Sequence, residues 1–197
     1  MARRRRPRAV EAVALWPGAG SSSTHPSLVA IEDALAPLAV ARLDFPYRKE
    51  GRRAPDRAPK LLASINDDVE RLCEQWGTSP EHVVLGGRSM GGRMCSIAVA
   101  EGLPAAGLIL MSYPLHPPGK PDTLRTAHLP DVTVPCLFLC GDRDPFGTPE
   151  ELAAAVDLIP GPVTSVTIEG ARHELKGAEA RMVREIRDWL GPAGRVR

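Results

Sequence analysis

Short apolar runs alternate with amphipathic segments from about residue 10 to residue 190. Six of these runs have the length and composition of buried strands, namely residues 10–15, 40–45, 82–85, 106–112, 135–140 and 163–168. The segments between them repeat apolar residues at helical spacing. Strands that alternate with helices predict an α/β fold, with a mostly parallel sheet covered by helices on both faces.

The helical pattern is clearest in an apolar stripe that runs from Leu62 to Trp76 and stops at Gly77, a residue suited to end a helix. A further helix start is marked by Thr148, Pro149 and Glu151, which form a capping-box pattern. The other predicted helices cover residues 28–35, 94–99 and 182–190. The proline-rich, charged segment 46–60 is predicted to be a loop.

Four glycines surround a single serine in GGRSMGGR, residues 86–93. Gly87 to Gly91 fit the pattern G-x-S-x-G, and the pattern lies between a predicted strand and a predicted helix. Small residues on both sides let a strand and a helix pass close together while Ser89 is held in a sharp turn. Ser89 is therefore a candidate nucleophile, above the N-terminus of the following helix.

A nucleophilic serine needs a histidine base and a carboxylate that orients it. Candidates must follow predicted strands, because the ligand site of a parallel sheet lies at the carboxyl ends of its strands. Asp144 and His173 meet this requirement, in the chain order that the nucleophile pattern expects. Asp142 is the alternative acid; with Asp144 as the acid, Asp142 is expected to cap or brace the turn. His25, His116 and His128 are the less favoured bases.

Two backbone N–H groups should stabilise the oxyanion: Met90, directly after the nucleophile, and Ala19, in the glycine turn after the first strand. The same turn has a competing interpretation as a phosphate site, but it lacks the lysine or the third glycine of the common nucleotide motifs. The residues predicted to bind substrate are Gly18, Gly20, Arg88 and His116.

The chain has 197 residues, of which 43% are hydrophobic, enough for one core. We expect one domain over residues 10–191, a basic tail at 1–9 and a short tail at 192–197. The formal net charge is +1. Without the five arginines before residue 9 the net charge would be +1 − 5 = −4, so the remainder of the chain is mildly acidic. A basic tail can bind nucleic acid or an anionic membrane, but it is more often simply solvated, and no nucleic-acid partner is expected.

No apolar run is long enough for a membrane span, and no export signal precedes the first strand. The four cysteines form no C-x-x-C pair, and Cys136 and Cys140 are expected on one face of a strand as small core residues. No metal-ligand spacing links histidines and cysteines, so neither a metal nor another cofactor is predicted. These features favour a cytoplasmic protein with reduced thiols.

The stretches GGRSMGGR, SYPLHPPGKP, GDRDPFGTPEEL and GARHEL together resemble the small α/β-hydrolases related to dienelactone hydrolase. More narrowly, they resemble the branch that includes subunit 3 of the NSL histone-acetyltransferase complex and a testis-expressed protein. The resemblance extends from Val10 to Leu190 and implies Ser89 as nucleophile, Asp144 as acid and His173 as base. Pro17 stands where family members often carry a histidine, which affects the placement of the oxyanion donor.

These features predict a serine hydrolase that acts on ester or thioester bonds of small or extended substrates. The connection from Tyr113 to Asp131 is too short for a helical lid, so an open pocket is expected.

Cationic residues in 48–60 either overhang the site or form a solvated loop. Arg88 and Arg93 flank the serine and pair either with a substrate carboxylate or with neighbouring acids. The alternative function is an interaction module that has kept the fold without turnover; a dienelactone-type enzyme with a cysteine nucleophile is disfavoured by Ser89.

Overall fold

The computed structural model describes residues 9–117 and 119–191. In this part of the chain six strands form one sheet in the order β2-β1-β3-β4-β5-β6, and every neighbouring pair is parallel. The strands are β1 (Ala12–Trp16), β2 (Ala39–Arg42), β3 (Val83–Arg88), β4 (Gly107–Met111), β5 (Cys136–Gly141) and β6 (Val163–Ile168). The α/β class and the six-stranded parallel sheet are confirmed.

Helices cover both faces of this sheet. They are α1 (Pro26–Leu35), α2 (Pro46–Lys49), α3 (Ala58–Trp76), α4 (Met90–Ala100), α5 (Pro149–Val156) and α6 (Glu179–Leu190). One apolar cluster joins α1 and α6 to the sheet through Ile31 and Ile186, and the other joins α3, α4 and α5 through Ile65, Met94 and Leu152. The four central strands β1, β3, β4 and β5 are therefore buried along their whole length, as the continuous apolar runs require, whereas the edge strands β2 and β6 are only partly buried.

Local signals in the sequence fix several helix ends. Gly77 ends α3 in the left-handed conformation, with φ of 65°, and both hydrogen bonds of the capping box at Thr148 and Glu151 are formed. Cys136 and Cys140 are buried in the same apolar cluster, on one face of β5. The sequence signals and the packing agree at these positions.

The interpretation of residues 46–60 as a loop was wrong at both ends. Pro46 begins the one-turn helix α2, and α3 begins at Ala58, inside the predicted loop. The apolar stripe of α3 starts one turn after the helix does, and α2 is too short to show a period. Of the predicted tails, all but Ala9 lie outside the described residues. No helix in the described part of the chain is both long and apolar enough to cross a membrane.

Candidate active site

Ser89 lies between the end of β3 and the start of α4. Its backbone has φ of 50° and ψ of −116°, a strained conformation for a residue with a side chain. The Ser89 N–H donates to the carbonyl of Met111 on β4 (2.8 Å), and the Ser89 carbonyl accepts from the Arg93 N–H in the first turn of α4 (3.0 Å). The strain is thus held by hydrogen bonds to both neighbouring elements.

The glycines around Ser89 allow a close approach between β1, β3 and α4. A Cβ atom on Gly87 would lie 2.0 Å from the carbonyl oxygen of Trp16, and one on Gly91 would lie 2.2 Å from the same oxygen. Gly87 also has φ of 151°. No other residue type fits at either position without moving the backbone of β1.

A chain of hydrogen bonds joins Ser89, His173 and Asp144. His173 Nε2 lies 2.9 Å from Ser89 Oγ, and His173 Nδ1 lies 2.9 and 2.7 Å from the two oxygens of Asp144. Because an ionised carboxylate only accepts hydrogen bonds, Nδ1 carries the ring proton and Nε2 is left to accept from the serine hydroxyl. The arrangement can remove the proton of Ser89.

Asp142, the alternative acid, does not contact His173. Its Oδ1 atom is buried without a hydrogen-bond partner among the described residues, so the bracing role expected for it is not seen either. Asp144, in contrast, is 7% exposed and also accepts from the backbone N–H of Phe146 (2.9 Å). The structure therefore places Asp144, rather than Asp142, beside the histidine.

The backbone of His173 is held from the side of the sheet. Ser112 Oγ donates to the His173 carbonyl (2.7 Å), and the Arg88 guanidinium donates to the same carbonyl (2.8 Å) and to the Glu174 carboxylate (2.8 Å). The ring of Phe146 lies 4.1 Å from the ring of His173. Sequence reasoning did not find Ser112 or Phe146 in these roles, although Ser112 ends one predicted strand and Phe146 follows another at the carboxyl edge.

The glycine turn brings Ala19 beside the serine. A Cβ on Gly18 would lie 3.4 Å from Ser89 Cβ, and the N–H groups of Ala19 and Met90 have no acceptor among the described residues. The hydroxyl of Tyr47 on α2 donates to the Ala19 carbonyl (2.7 Å) and so orients the peptide after Ala19. Tyr47 is fully buried, and burial raises its pKa, so it stays a neutral donor. No periodic pattern in the sequence predicts this contact.

A cavity of about 560 Å³ opens at Ser89. Most of the predicted site residues line it, together with residues that the sequence did not single out. The lining consists of Gly18, Ala19, Gly20, Ser21, His25, Arg88, Ser89, Met90, Arg93, Pro114, Arg125, Phe146, His173 and Glu174. The described residues between β4 and β5 contain a single short 3-10 turn and no α-helix, so no helical lid is built there.

His116 is not among the lining residues, although it was predicted to bind substrate. It is 6% exposed, its Nδ1 lies 2.9 Å from the Pro117 carbonyl, and its Nε2 lies 3.6 Å from Glu151 at the start of α5. The strand order places the loop correctly, but the chain after Leu115 turns the imidazole towards α5. His25 lines the cavity instead, and burial followed by the charge of Arg88 lowers its pKa.

The charged segment 48–60 does not reach the cavity. Three of its cations pair with carboxylates of the same region and of α3, and no cation of the segment lines the site. The pairs are Arg52 with Glu50 and Asp56, Lys60 with Glu50 and Asp56, and Lys49 with Asp68. The interpretation as a solvated surface segment describes this region.

A second serine–histidine contact lies inside the protein. Ser96 Oγ is 2.8 Å from His128 Nε2, and the hydroxyl of Ser96 also donates to the Arg93 carbonyl (2.9 Å). Because a hydroxyl has one proton, His128 must donate to Ser96 rather than accept from it. Ser96 is fully buried, and burial and the charge of Arg93 lower the pKa of His128 to about 4. This pair is a neutral packing contact.

Comparisons with known proteins agree with the fold. A family model described as "Alpha/beta hydrolase domain" matches residues 10–187. The fold is similar to an alpha-beta serine hydrolase homologue from Coxiella burnetii, with a TM-score of 0.71 and 19% identity over 92% of this chain and 89% of that one. It is also similar to dienelactone hydrolase from Anabaena variabilis (TM-score 0.74, 20% identity, 96% and 88% covered). An esterase domain from a Rhodothermus marinus protein matches with a TM-score of 0.69 and 15% identity over 93% and 87%.

Proposed function

The chain belongs to the α/β-hydrolase domain family, and we propose that it hydrolyses ester or thioester bonds by a Ser-His-Asp acyl-enzyme mechanism. The observation that supports this most strongly is the unbroken series of hydrogen bonds from Asp144 through His173 to Ser89, which ends at an open cavity. Fold similarity to serine hydrolases and esterases supports the same reaction class.

In the acylation step, Ser89 Oγ attacks the carbonyl carbon while His173 Nε2 takes the hydroxyl proton. Asp144 holds the proton on Nδ1 and stabilises the imidazolium that forms. The N–H groups of Met90 and Ala19 donate to the oxyanion, in a position where the N-terminus of α4 also favours negative charge. His173 then gives its proton to the leaving alcohol or thiol as the carbon–oxygen or carbon–sulfur bond breaks.

In the second half of the reaction, water attacks the acyl-enzyme. His173 removes a proton from this water, the oxyanion forms in the same place, and the protonated Nε2 returns the proton to Ser89 as the acid product leaves. All proton transfers use groups of the protein, and no cofactor enters these steps. The absence of a helical lid in the described part of the chain fits small or extended substrates.

Within the family, we place the chain in the branch that resembles subunit 3 of the NSL complex, on the phrases around Ser89 and Asp144. A cytoplasmic location is part of the proposal. It is supported by four cysteines that are all free and buried, as in proteins of a reducing compartment.

Labelling with a fluorophosphonate probe tests the proposal, because such probes react with activated serines. We expect the wild-type protein to be labelled and Ser89→Ala and His173→Ala to lose labelling. Ser96→Ala is the matched control, since it removes a serine that also touches a histidine, and it should label like the wild type. A folded wild type that does not label would refute the proposal and favour the interaction module, whereas label that persists in Ser89→Ala would refute Ser89 as the nucleophile.

A further inference from the structure

Three arginines and one glutamate supply the formally charged side chains of the cavity lining apart from its histidines. Arg88 is committed to the protein, because its guanidinium donates to Glu174 and to the His173 carbonyl. Arg93 and Arg125 form no ion pair and no side-chain hydrogen bond with any residue in 9–117 or 119–191. Two cations therefore border Ser89 without a carboxylate from the protein.

Arg93 is placed by the first turn of α4. Its N–H donates to the Ser89 carbonyl, so its backbone lies one helical turn, roughly 6 Å, beyond Ser89, and its side chain lines the same cavity. Its Nε atom is buried and has no hydrogen-bond partner among the described residues. A buried donor of this kind is costly unless something accepts from it.

The polar groups near Arg93 do not neutralise it. Burial raises the pKa of Tyr113 to about 12, so the phenol stays protonated, and His128 is neutral at pH 7. Asp131 is close enough to act on His128 but makes no ion pair with Arg93. No carboxylate in the described part of the chain therefore forms an ion pair with Arg93, and the polar groups next to it are neutral hydrogen-bonding groups.

Arg125 is held in place by its backbone. Its N–H donates to the Leu115 carbonyl (2.7 Å), and its own carbonyl accepts from the hydroxyl of Tyr113 (3.0 Å). Tyr113 is in turn packed edge-on against Phe138 of the core. Burial and the nearby charge of Arg93 lower the pKa of the Arg125 guanidinium. The loop is therefore built to hold a second cation near the first, against their mutual repulsion.

We infer that Arg93 and Arg125 form an anion subsite that binds a carboxylate of the substrate, so that the preferred substrates are anionic esters or thioesters. Each guanidinium presents a planar fork of N–H donors that matches a carboxylate, and a carboxylate between the two would satisfy Arg93 Nε and remove the repulsion. This inference rests on the proposed function, since it defines which substrate reaches Ser89.

Two fluorophosphonate probes of equal length test the subsite independently of the natural substrate. One alkyl chain ends in a carboxylate and the other in its methyl ester, and the second-order rate of Ser89 labelling is measured for each. In the wild type, the anionic probe should label more than about tenfold faster, as expected for a hydrogen-bonded ion pair in a partly desolvated cavity. High salt should reduce this ratio.

Substitutions at Arg93 and Arg125 test whether these residues cause the preference for the anionic probe. Arg93→Gln and Arg125→Gln should each bring the ratio of the two rates close to one, whereas Arg125→Lys keeps the charge and should retain part of it. Arg57→Gln makes the same change at an exposed position outside the cavity and should leave the ratio unchanged. Thermal melting of each variant shows that it is folded.

The outcomes separate this inference from the proposed function. If the neutral probe labels Ser89 but the anionic probe gains no advantage, or if the advantage survives Arg93→Gln and Arg125→Gln, the subsite is refuted and the hydrolase proposal stands. If neither probe labels the folded wild type, both are refuted.

Discussion

Two of the serine–histidine contacts among the described residues involve serines only seven positions apart, Ser89 just before α4 and Ser96 within it, yet the two contacts have different surroundings. Ser89 is in the strained turn before α4, borders the cavity, and contacts a histidine whose other nitrogen meets Asp144. Ser96 is inside α4, fully buried, and gives its proton to a backbone carbonyl. A short distance between serine and histidine is therefore not enough to identify a catalytic pair.

The carboxylate makes the main difference. At His173 it fixes the proton on Nδ1 and leaves Nε2 as the acceptor, whereas at His128 the serine hydroxyl is already used and the ring nitrogen must donate. Access makes the second difference, since Ser96 is fully buried and does not line the cavity at Ser89. Substitutions that remove one feature at a time show how much that feature contributes to activity or stability.

Asp144→Asn should have the largest effect, because it removes the carboxylate and makes the first pair resemble the second. The amide can present its N–H groups to Nδ1 and stabilise the wrong tautomer, so we expect the rate of ester hydrolysis to fall by about 10⁴-fold. Asp142→Asn, in the same loop, is the matched control and should stay within a few-fold of the wild type. Equal losses in the two variants would contradict the assignment. The measurement is kcat/KM on a short-chain aryl ester.

Ser112→Ala should have an intermediate effect, because it removes a hydrogen bond to the His173 carbonyl and so loosens the ring that Ser89 must meet. A small misplacement of a reacting group predicts a loss of about ten- to hundredfold in kcat with little change in KM. Ser96→Ala also removes a fully buried hydroxyl that donates to a backbone carbonyl, so it controls for packing. Ser112 has no positioning role if both variants keep the wild-type kcat.

His128→Gln should have the smallest effect, and it should appear in stability rather than in activity. The folded pKa of His128, about 4, is below its ordinary value of 6.5, so between these pH values the unfolded chain takes up a proton that the folded chain does not. This group therefore lowers wild-type stability as the pH falls from about 6.5 to about 4, and the variant lacks that loss. The difference between the melting temperatures of the wild type and the variant should therefore narrow by a few degrees as the pH falls through this window. A difference that is constant with pH would exclude the titration.

Much of the fold follows from local pattern. The bounds of β6 agree with the apolar run 163–168, and the glycines of GGRSMGGR predict the strand–turn–helix because their role depends on nearby backbone alone. His173 and Asp144 were found because strand order fixes which loops meet. Each of these signals is carried by residues close together in sequence or by the order of the strands.

The residues that sequence reasoning missed depend on contacts between distant segments. Tyr47 reaches Ala19 from a helix too short to show a period, and Arg125 reaches the cavity because its loop folds back onto Leu115. His116 was wrongly placed for the same reason, since its ring direction is set by packing against α5 rather than by the strand that precedes it. Single-sequence patterns carry no information on such side-chain directions.

The carbonyl of Trp16 is the point against which both Gly87 and Gly91 are packed, and Trp16 is paired in register with Gly87. The glycine turn begins only two residues later, so the pairing of β1 with β3 sets the distance between Ala19 and Ser89. The cavity walls at Ser21, His25, Pro114 and Arg125, in contrast, belong to loops outside the sheet. In engineering terms, the proposed bond-breaking part and the proposed selecting part are separate modules: if the protein is the hydrolase proposed above, replacing these four residues should change its substrate preference without rebuilding its chemistry.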